Sequence, residues 1–477
     1  MCALYEPERL TLAGKPVGRI EFDHTIFDRA VREVFVKGGF TAEMLDDPAI
    51  HALTEETFNT LNKSVDTAIK TETPPELIAA LQNNIFIFSG FKTYHSLSEV
   101  GLSLVDAEGK VKPFDTFRKD VETIDKRYNT TYLYAEYNHA VHTSQMAVKW
   151  NEYVEDGDRY YLQYRTAGDE RVREAHAALD GITLPPSDEF WNSYLPPNGW
   201  NCRCNVVQVL RDDYPMSDPE RAKAAGDACT EDPKQRIFRY NAGKEMTIFP
   251  KKHPYLPKGC GNCDRLLNLA YDPKREQCRV CGIINEQCRK DMACRFYDRL
   301  SKDKKYRGVE YDPVSGGMQA THIGHNTKSN NSEVLKWGMT GADLENELQR
   351  LLFRAGHTVV LCDESKKKKK GNNLPALDMQ LDGVMMDIRS ITKKKRHYGS
   401  ALRSKNTQLQ RYNARTDVKI PANTICLYFH DSSMYHPSKI TNGIKWLKSQ
   451  TRNVGVDNVV CVIRKDDETV EIRKHKV

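Results

Sequence analysis

Apolar positions recur first with the period of a helix and only later with that of a strand. His24–Lys37 and Thr41–Lys70 repeat them at helical spacing, and Pro74-Pro75 punctuates a further helix from Glu76. From Asp125 the stretch DKRYNTTYLYAEYNHAVHTSQMAVKWNEYVED sets Ala135, His139, Val141, Met146 and Trp150 at mixed three- and four-residue steps, which predicts one long packed helix. His139 and His142 stand three apart on it; a metal pair is conceivable, a core or surface pair the ordinary reading. Tyr160–Arg165 (YYLQYR) then reads as a strand.

The pattern changes again near the C-terminus. Leu344, Leu348, Leu351, Leu352 and Ala355 predict a helix, Gly356 sits where a C′ glycine would end it, and His357–Leu361 is an apolar, β-branched run. LDMQLDGVMMDIRS reads as two short strands joined at Asp382-Gly383, a strong hairpin dipeptide. A strand from Thr424, a helix with Ile440, Ile444 and Leu447 inward, and two final strands follow. The resulting order α-β-β-β-α-β-α-β-β predicts a small α/β domain with a central mixed sheet, so the whole chain reads as multidomain α+β.

Composition narrows this picture. The chain has 477 residues, enough for two to four domains, and its 39% hydrophobic and 29% charged content is that of an ordinary soluble protein. No run approaches the ~18 apolar residues a membrane helix needs, and MCALYEPERL lacks the basic and apolar regions of a signal peptide. The expectation is a protein made in the cytoplasm, with no membrane partner. The net charge of +6 is uneven: from Glu333 onward there are 27 Lys+Arg against 16 Asp+Glu, and before it 44 against 49. A basic module on a mildly acidic body points to a polyanion partner, although Lys366–Lys370 alone reads more readily as a solvated loop than as a binding site. Tyr398–Arg415, basic with interleaved tyrosines, suits RNA phosphates and bases.

Candidate chemistry gathers in the same module. Glu345 and Glu347 lie on the predicted helix, Asp378 and Asp387 on the two arms of the hairpin, and Lys405-Asn406-Thr407 downstream, while Asp382 belongs to the turn. Carboxylates and a lysine so held suit a divalent cation and a phosphodiester: the cation polarises a phosphoryl oxygen and acidifies water, and the ammonium stabilises the oxyanion. The bland alternative is a solvated helix face, a turn and a strand end. Glu345-Asn346-Glu347, Gly356-His357, Asp378 through Asp382-Gly383 to Asp387, and Lys405-Asn406-Thr407 together resemble the tRNA-nuclease C-terminal toxin domain of contact-dependent inhibition proteins. The resemblance covers roughly 341–474. It implies a restriction-endonuclease-like core, Glu347, Asp378 and Asp387 as the positions for a divalent metal (Mg or Zn), Lys405 and Thr407 beside them, tRNA as substrate, and an immunity protein as a candidate partner. Two departures stand out. Lys366–Lys370 lengthens the helix-to-hairpin gap, and Asp387-Ile388-Arg389 lacks the lysine such nucleases often place there, which leaves that role to Lys405.

A second ordered motif lies upstream. Arg165, Thr166, Ala167, Asp169, Arg171, Val172, Arg173, His176, Leu179 and Gly181 are followed by Phe190-Trp191 and by Pro196-Pro197, Trp200, Cys202, Arg203 and Cys204. This run resembles the Mu-type F-like minor head, or phage head morphogenesis, family over roughly 58–212. The resemblance implies a minor component of the phage head, near the portal, with portal and capsid proteins as partners and the virion head as destination. Asp169, Arg171, Arg173 and His176 could hold an enzyme site or a salt-bridged structural network, and the aromatic and Pro-Pro residues suit packing. Cys202-Arg203-Cys204 is read as too tight for two zinc ligands of one knuckle, and a reducing compartment argues against a disulfide.

Between the two motifs, Cys260, Cys263, Cys278 and Cys281 form two CxxC pairs at near zinc-ribbon spacing, with Cys288 and Cys294 blurring which four would ligate. Structural zinc and reduced, packed thiols both remain open. From Tyr311, YDPVSGGMQATHIGHNTKSNNSEV reads as a connector, with His322 and His325 as conceivable metal ligands. The expected organisation is therefore a helical region over 1–57, a head-morphogenesis domain over 58–212, a Cys-rich segment and linker over 213–332, and a nuclease-like domain over 333–477. The expected function is a head protein carrying a metal-dependent tRNA nuclease. Its rivals are a purely structural head protein whose basic tail binds nucleic acid, and a DNA nuclease.

Overall fold

The computed structural model describes residues 20–70, 73–257, 275–325, 337–365, 376–415, 421–451 and 453–477. The chain is α+β and forms two compact units, one of 1–263 with 270–285 and one of 264–269 with 286–477.

The first unit opens with α1 (His24–Val36), α2 (Pro48–Ala68), α3 (Pro75–Leu102) and α4 (Phe114–Asp125). The apolar run from Thr41 is not one helix. Ala42–Asp46 is a 3₁₀ turn, and α2 begins anew with Pro48 in its first turn and the Asp47 carboxylate accepting from the Ala49 N–H (3.0 Å). Proline lacks the N–H that a continuing helix needs, so it starts a helix here. The long helix from Asp125 begins with a π-helical stretch, Lys126–Tyr132, and continues as α5 (Leu133–Asp156).

β1 (Tyr160–Arg165), α6 (Glu174–Ala177), β2 (Thr183–Leu184), α7 (Phe190–Tyr194), β3 (Asn205–Leu210), α8 (Pro219–Cys229) and α9 (Ala242–Glu245) follow. Antiparallel β2-β1-β3 pairs Leu162 with Leu184 and Gln208. Met146, Trp150 and Tyr153 of α5 join Leu162, Tyr164, Leu184, Trp191 and Val206 in one core. The indole N–H of the fully buried Trp191 donates to the Pro185 carbonyl (3.1 Å), so the aromatic and proline residues of this motif do pack as anchors.

α10 (Glu276–Leu300) carries Cys278 and Cys281 on its first turns, whereas Cys260 and Cys263 lie outside the described residues.

The second unit is an eight-stranded mixed sheet. β4 (Tyr306–Asp312), β5 (Gly317–His322), β6 (Thr358–Leu361), β7 (Met379–Leu381), β8 (Val384–Ser390), β9 (Thr424–Phe429), β10 (Asn458–Arg464) and β11 (Val470–Lys476) lie side by side in chain order. The connector expected from Tyr311 is thus in part sheet: β4 and β5 form a hairpin, and β5 runs parallel to β6. Turn-rich composition obscured two short strands with little apolar alternation.

Helix α11 (Gly341–Arg354) packs Leu344, Leu348, Leu351 and Leu352 against Met386, Ile388, Cys426, Tyr428, Val460 and Val462. The opposite face, carrying Ile425, Leu427, Phe429, Val459, Cys461 and Ile463, is covered by α12 (Gly399–Asn413) and α13 (Pro437–Gln450) through Leu402, Leu409, Ile440, Ile444 and Leu447. Alternation along β9 and β10 therefore serves two apolar layers, which is why every residue of β9 is buried. Gly356, at φ +87°, closes α11, and Asp382 and Gly383, at φ +46° and +84°, make the turn of the β7–β8 hairpin.

Candidate functional site

Three sequence-chosen residues meet at the hairpin. Asp387 sits on β8 between Met386 and Ile388, which face α11, so the two-residue strand period turns its carboxylate toward α12. Lys405 on α12 places its ammonium 3.1 Å from Asp387 Oδ1 and 3.5 Å from Asp378 Oδ2. Asp378 Oδ2 also accepts the Ile388 N–H (2.9 Å), and the Gln408 amide donates to Asp387 Oδ1 (3.3 Å) and to the Ala376 carbonyl (3.1 Å).

Asp387 is wholly buried, and its Oδ2 has no hydrogen-bond partner among the described residues. Burial and the neighbouring Asp378 push its carboxyl well above the usual range, with Lys405 pulling the other way. Ionising both carboxylates on one ammonium would leave net negative charge in a dry place, so Asp387 holds its proton until a cation relieves that charge.

The third carboxylate is Glu345. Its pKa is raised by burial first, with Asp378 and Glu364 raising it further and His325 opposing. His325 lies 3.6 Å from Glu345 and 3.9 Å from Glu364, and its Nδ1–H donates to the Cys362 carbonyl (3.1 Å). Burial works against charging this imidazole, but the two glutamates outweigh it and raise its pKa. His322 faces Asp363 instead (3.7 Å), so the two histidines do not form a pair.

Glu347 is elsewhere. Its Oε2 accepts from the Tyr428 hydroxyl and His430 Nδ1, both at 2.6 Å, and Arg464 stands 3.4 Å from Oε1. Thr407 is exposed and donates to the Arg403 carbonyl of its own helix (3.1 Å). On an α-helix two residues are about 200° apart, so neither Glu347 beside Glu345 nor Thr407 beside Lys405 can share a face. Gln408, three residues after Lys405, can. Asp382 binds within the fold, at His357 Nδ1 (2.7 Å) and the Thr358 N–H (2.9 Å). Sequence reasoning thus missed Gln408 and Glu364, and it set His325 in a connector with His322 rather than beside Glu345. Only the helical spacing of Gln408 offered a signal.

In the first unit His139 and His142 diverge. His139 Nε2 contacts the Tyr240 hydroxyl and the Ile248 carbonyl, both at 3.1 Å, while His142 Nδ1 contacts Asn138 of its own helix (2.9 Å). Asp169 is held by Arg203 through two 2.6 Å bonds, and Arg173 donates to the Trp200 carbonyl (2.6 Å). These charges serve as structural ties.

His176, however, turns inward. Its Nδ1 lies 3.5 Å from Cys202 Sγ and 3.7 Å from Cys204 Sγ, and all three residues are buried. The tightness of Cys202-Arg203-Cys204 therefore does not keep its sulfurs apart: both face one imidazole. Burial opposes charge on His176, but Cys202 and Cys229 outweigh it and push its pKa up to about 9.

Residues 106–207 match the family described as Phage Mu protein F like protein. A 104-residue stretch is 36% identical to the putative capsid assembly protein F of Escherichia phage Mu, covering 22% of this chain and 21% of that protein. A 65-residue stretch is 35% identical to the Mu-like prophage FluMu F protein of Haemophilus influenzae, covering 13% and 16%. The chain thus spans about a fifth or less of the length of these relatives. No solved structure matches it. Among the described residues no helix is long and apolar enough to cross a membrane.

Proposed function

We propose that the second unit is a metal-dependent nuclease acting on RNA, tRNA foremost, and that the F-like segment serves phage head assembly beside portal and capsid proteins. The nuclease reading rests on the Asp387 carboxylate: fully buried, one oxygen unpartnered, crowded by Asp378 and reached by Lys405. Asp378, Asp387 and Glu345 supply the oxygen donors that a hard divalent cation takes, and their carboxylates would have to close in on it, since they do not all lie within 4.8 Å of one another. Such an ion, when bound, supplies Lewis-acid polarisation of a phosphoryl oxygen and a more acidic water.

The chain's own residues do the rest. Lys405 offers positive charge to the oxyanion, held in place by two carboxylates. Gln408 fixes Asp387, and His325 keeps a proton beside Glu345. The exposed run Lys393, Lys394, Lys395 and Arg396 leads into α12, and exposed Arg403 and Arg411 lie on that helix, giving phosphates a basic approach. The head-assembly half rests on the match over residues 106–207 and on the assembly role printed for the Mu relative.

The test incubates the full chain with total tRNA and with duplex DNA, with and without Mg²⁺, against Asp378→Ala/Asp387→Ala checked for unchanged circular dichroism. Mg²⁺-dependent tRNA fragments absent from the variant are expected. Cleavage of DNA alone would change the substrate. Salt-sensitive binding with no cleavage of either would replace the enzyme by a binding module.

A further inference from the structure

The thiol pocket of the first unit stands apart from the acidic cluster and plays no part in the proposed cleavage. Its donors come from three places in the chain: His176 from α6, Cys202 and Cys204 from the turn entering β3, and Cys229 from the last residue of α8. We propose that His176, Cys202, Cys204 and Cys229 form a closed structural zinc site.

Geometry carries the proposal. Zinc bonds of about 2.3 Å to sulfur and 2.0–2.1 Å to nitrogen, arranged tetrahedrally, place neighbouring donors roughly 3.5–3.8 Å apart. Nδ1 of His176 lies 3.5 and 3.7 Å from the two sulfurs, and these three donors all fall within 4.8 Å of one another. Cys229 acts electrostatically on the same imidazole and lies in the same buried core as Cys202 and Cys204, just outside that close group, and metal binding would draw it in as the fourth donor. Three thiols and an imidazole make a full tetrahedral set in a water-poor core, and a catalytic zinc would instead keep a position open.

Binding expels three protons to solvent: one from Nδ1 of His176, which is charged beside the ionised Cys202, and one each from Cys204 and Cys229. The imidazole ligates through Nδ1 and keeps its proton on Nε2, so the site carries one net negative charge. Arg203, beside the two thiols, and Arg173 offset it. The 3.4 Å contact from Arg173 to Nε2 gives way on binding, and the Trp200 carbonyl continues to hold that guanidinium at 2.6 Å. The metal would join α6 and the entry to β3 to α8, around the core of Leu162, Tyr164 and Trp191. Cys229 lies beyond the residues matched to the F-like family, so the fourth donor comes from outside that match.

Zinc content of the full chain and of single variants tests the proposal. His176→Ala and Cys204→Ser are each expected to remove one zinc per chain, whereas Cys278→Ser leaves that zinc in place and His176→Cys retains it. Cobalt exchanged into the parent should give thiolate charge-transfer and tetrahedral ligand-field bands, both lost in Cys204→Ser. Undiminished zinc in His176→Ala and Cys204→Ser would overturn the site. Should those variants misfold, thiol alkylation of the parent decides: Cys202, Cys204 and Cys229 must be protected with zinc and labelled after chelation. Equal labelling in both states would overturn the proposal.

Discussion

Among single residues, the proposed nuclease gives the two glutamates of Glu345-Asn346-Glu347 different parts, chemistry for the first and stability for the second. Glu345→Gln removes a carboxylate beside Asp378 and His325, and RNA cleavage should fall by about 10²-fold or more with little change in Tm. Glu347→Gln weakens charge-assisted bonds from Tyr428 and His430 and should cost about 1–3 kcal/mol in urea unfolding, with activity per folded molecule largely kept. Thr407→Ala, on an exposed surface, should stay within about 0.5 kcal/mol and leave cleavage unchanged. Asp387→Asn should abolish cleavage while raising Tm of the metal-free protein near neutral pH, because it removes a buried carboxyl that must take up a proton or bear an unpartnered charge. A lowered Tm would mean that Lys405 already compensates that charge. Asp378, Asp387 and Lys405 were legible because hairpin and motif spacing fix them. The choice between Glu345 and Glu347 was not, since both fit a helix and only the sheet beneath decides which faces the hairpin.

At the scale of the element, turns and helix ends carried clear signals. Gly383, at φ +84°, closes the β7–β8 hairpin that sets Asp378 against Asp387. Gly383→Ala should therefore lower stability by about 1–2 kcal/mol and cleavage with it, read by thermal melts and single-turnover assays. Asp382-Gly383 and Gly356 announce their φ values in the sequence, because few other residues adopt them. Elements with weak alternation were less legible. The β4–β5 hairpin hides in turn-like composition, and what orders it is pairing with β6, a partner distant in sequence. In the N-terminal helices, Asp47-Pro48 divided an apolar pattern that periodicity alone joined.

At the scale of the whole molecule, the first unit should weaken in acid. His139 and His253 are both pushed down to about 3, burial being the leading cause, from an ordinary value of 6.5. Their folded pKa lies below the unfolded one, so the stability they permit is present above pH ~6.5 and is lost as pH falls toward 3. Each adds at most about 1.4 kcal/mol per pH unit to that slope. Urea unfolding followed from pH 7 to 4.5 should show it, and His139→Gln should flatten it; an unchanged slope would mean that other groups govern acid unfolding.

The amino-acid pattern was enough for the order of helices and strands in the basic module, the hairpin between Asp378 and Asp387, and the aromatic packing around Trp191. These follow from local periodicity, turn chemistry and burial. Tertiary structure alone decided that Glu345 and His325 join the acidic cluster while Glu347 pairs with Tyr428 and His430. It also decided that Cys202 and Cys204 meet His176, with Cys229 in the same buried core. Those meetings join residues tens of positions apart, and no periodicity along the chain encodes which faces fold onto one another.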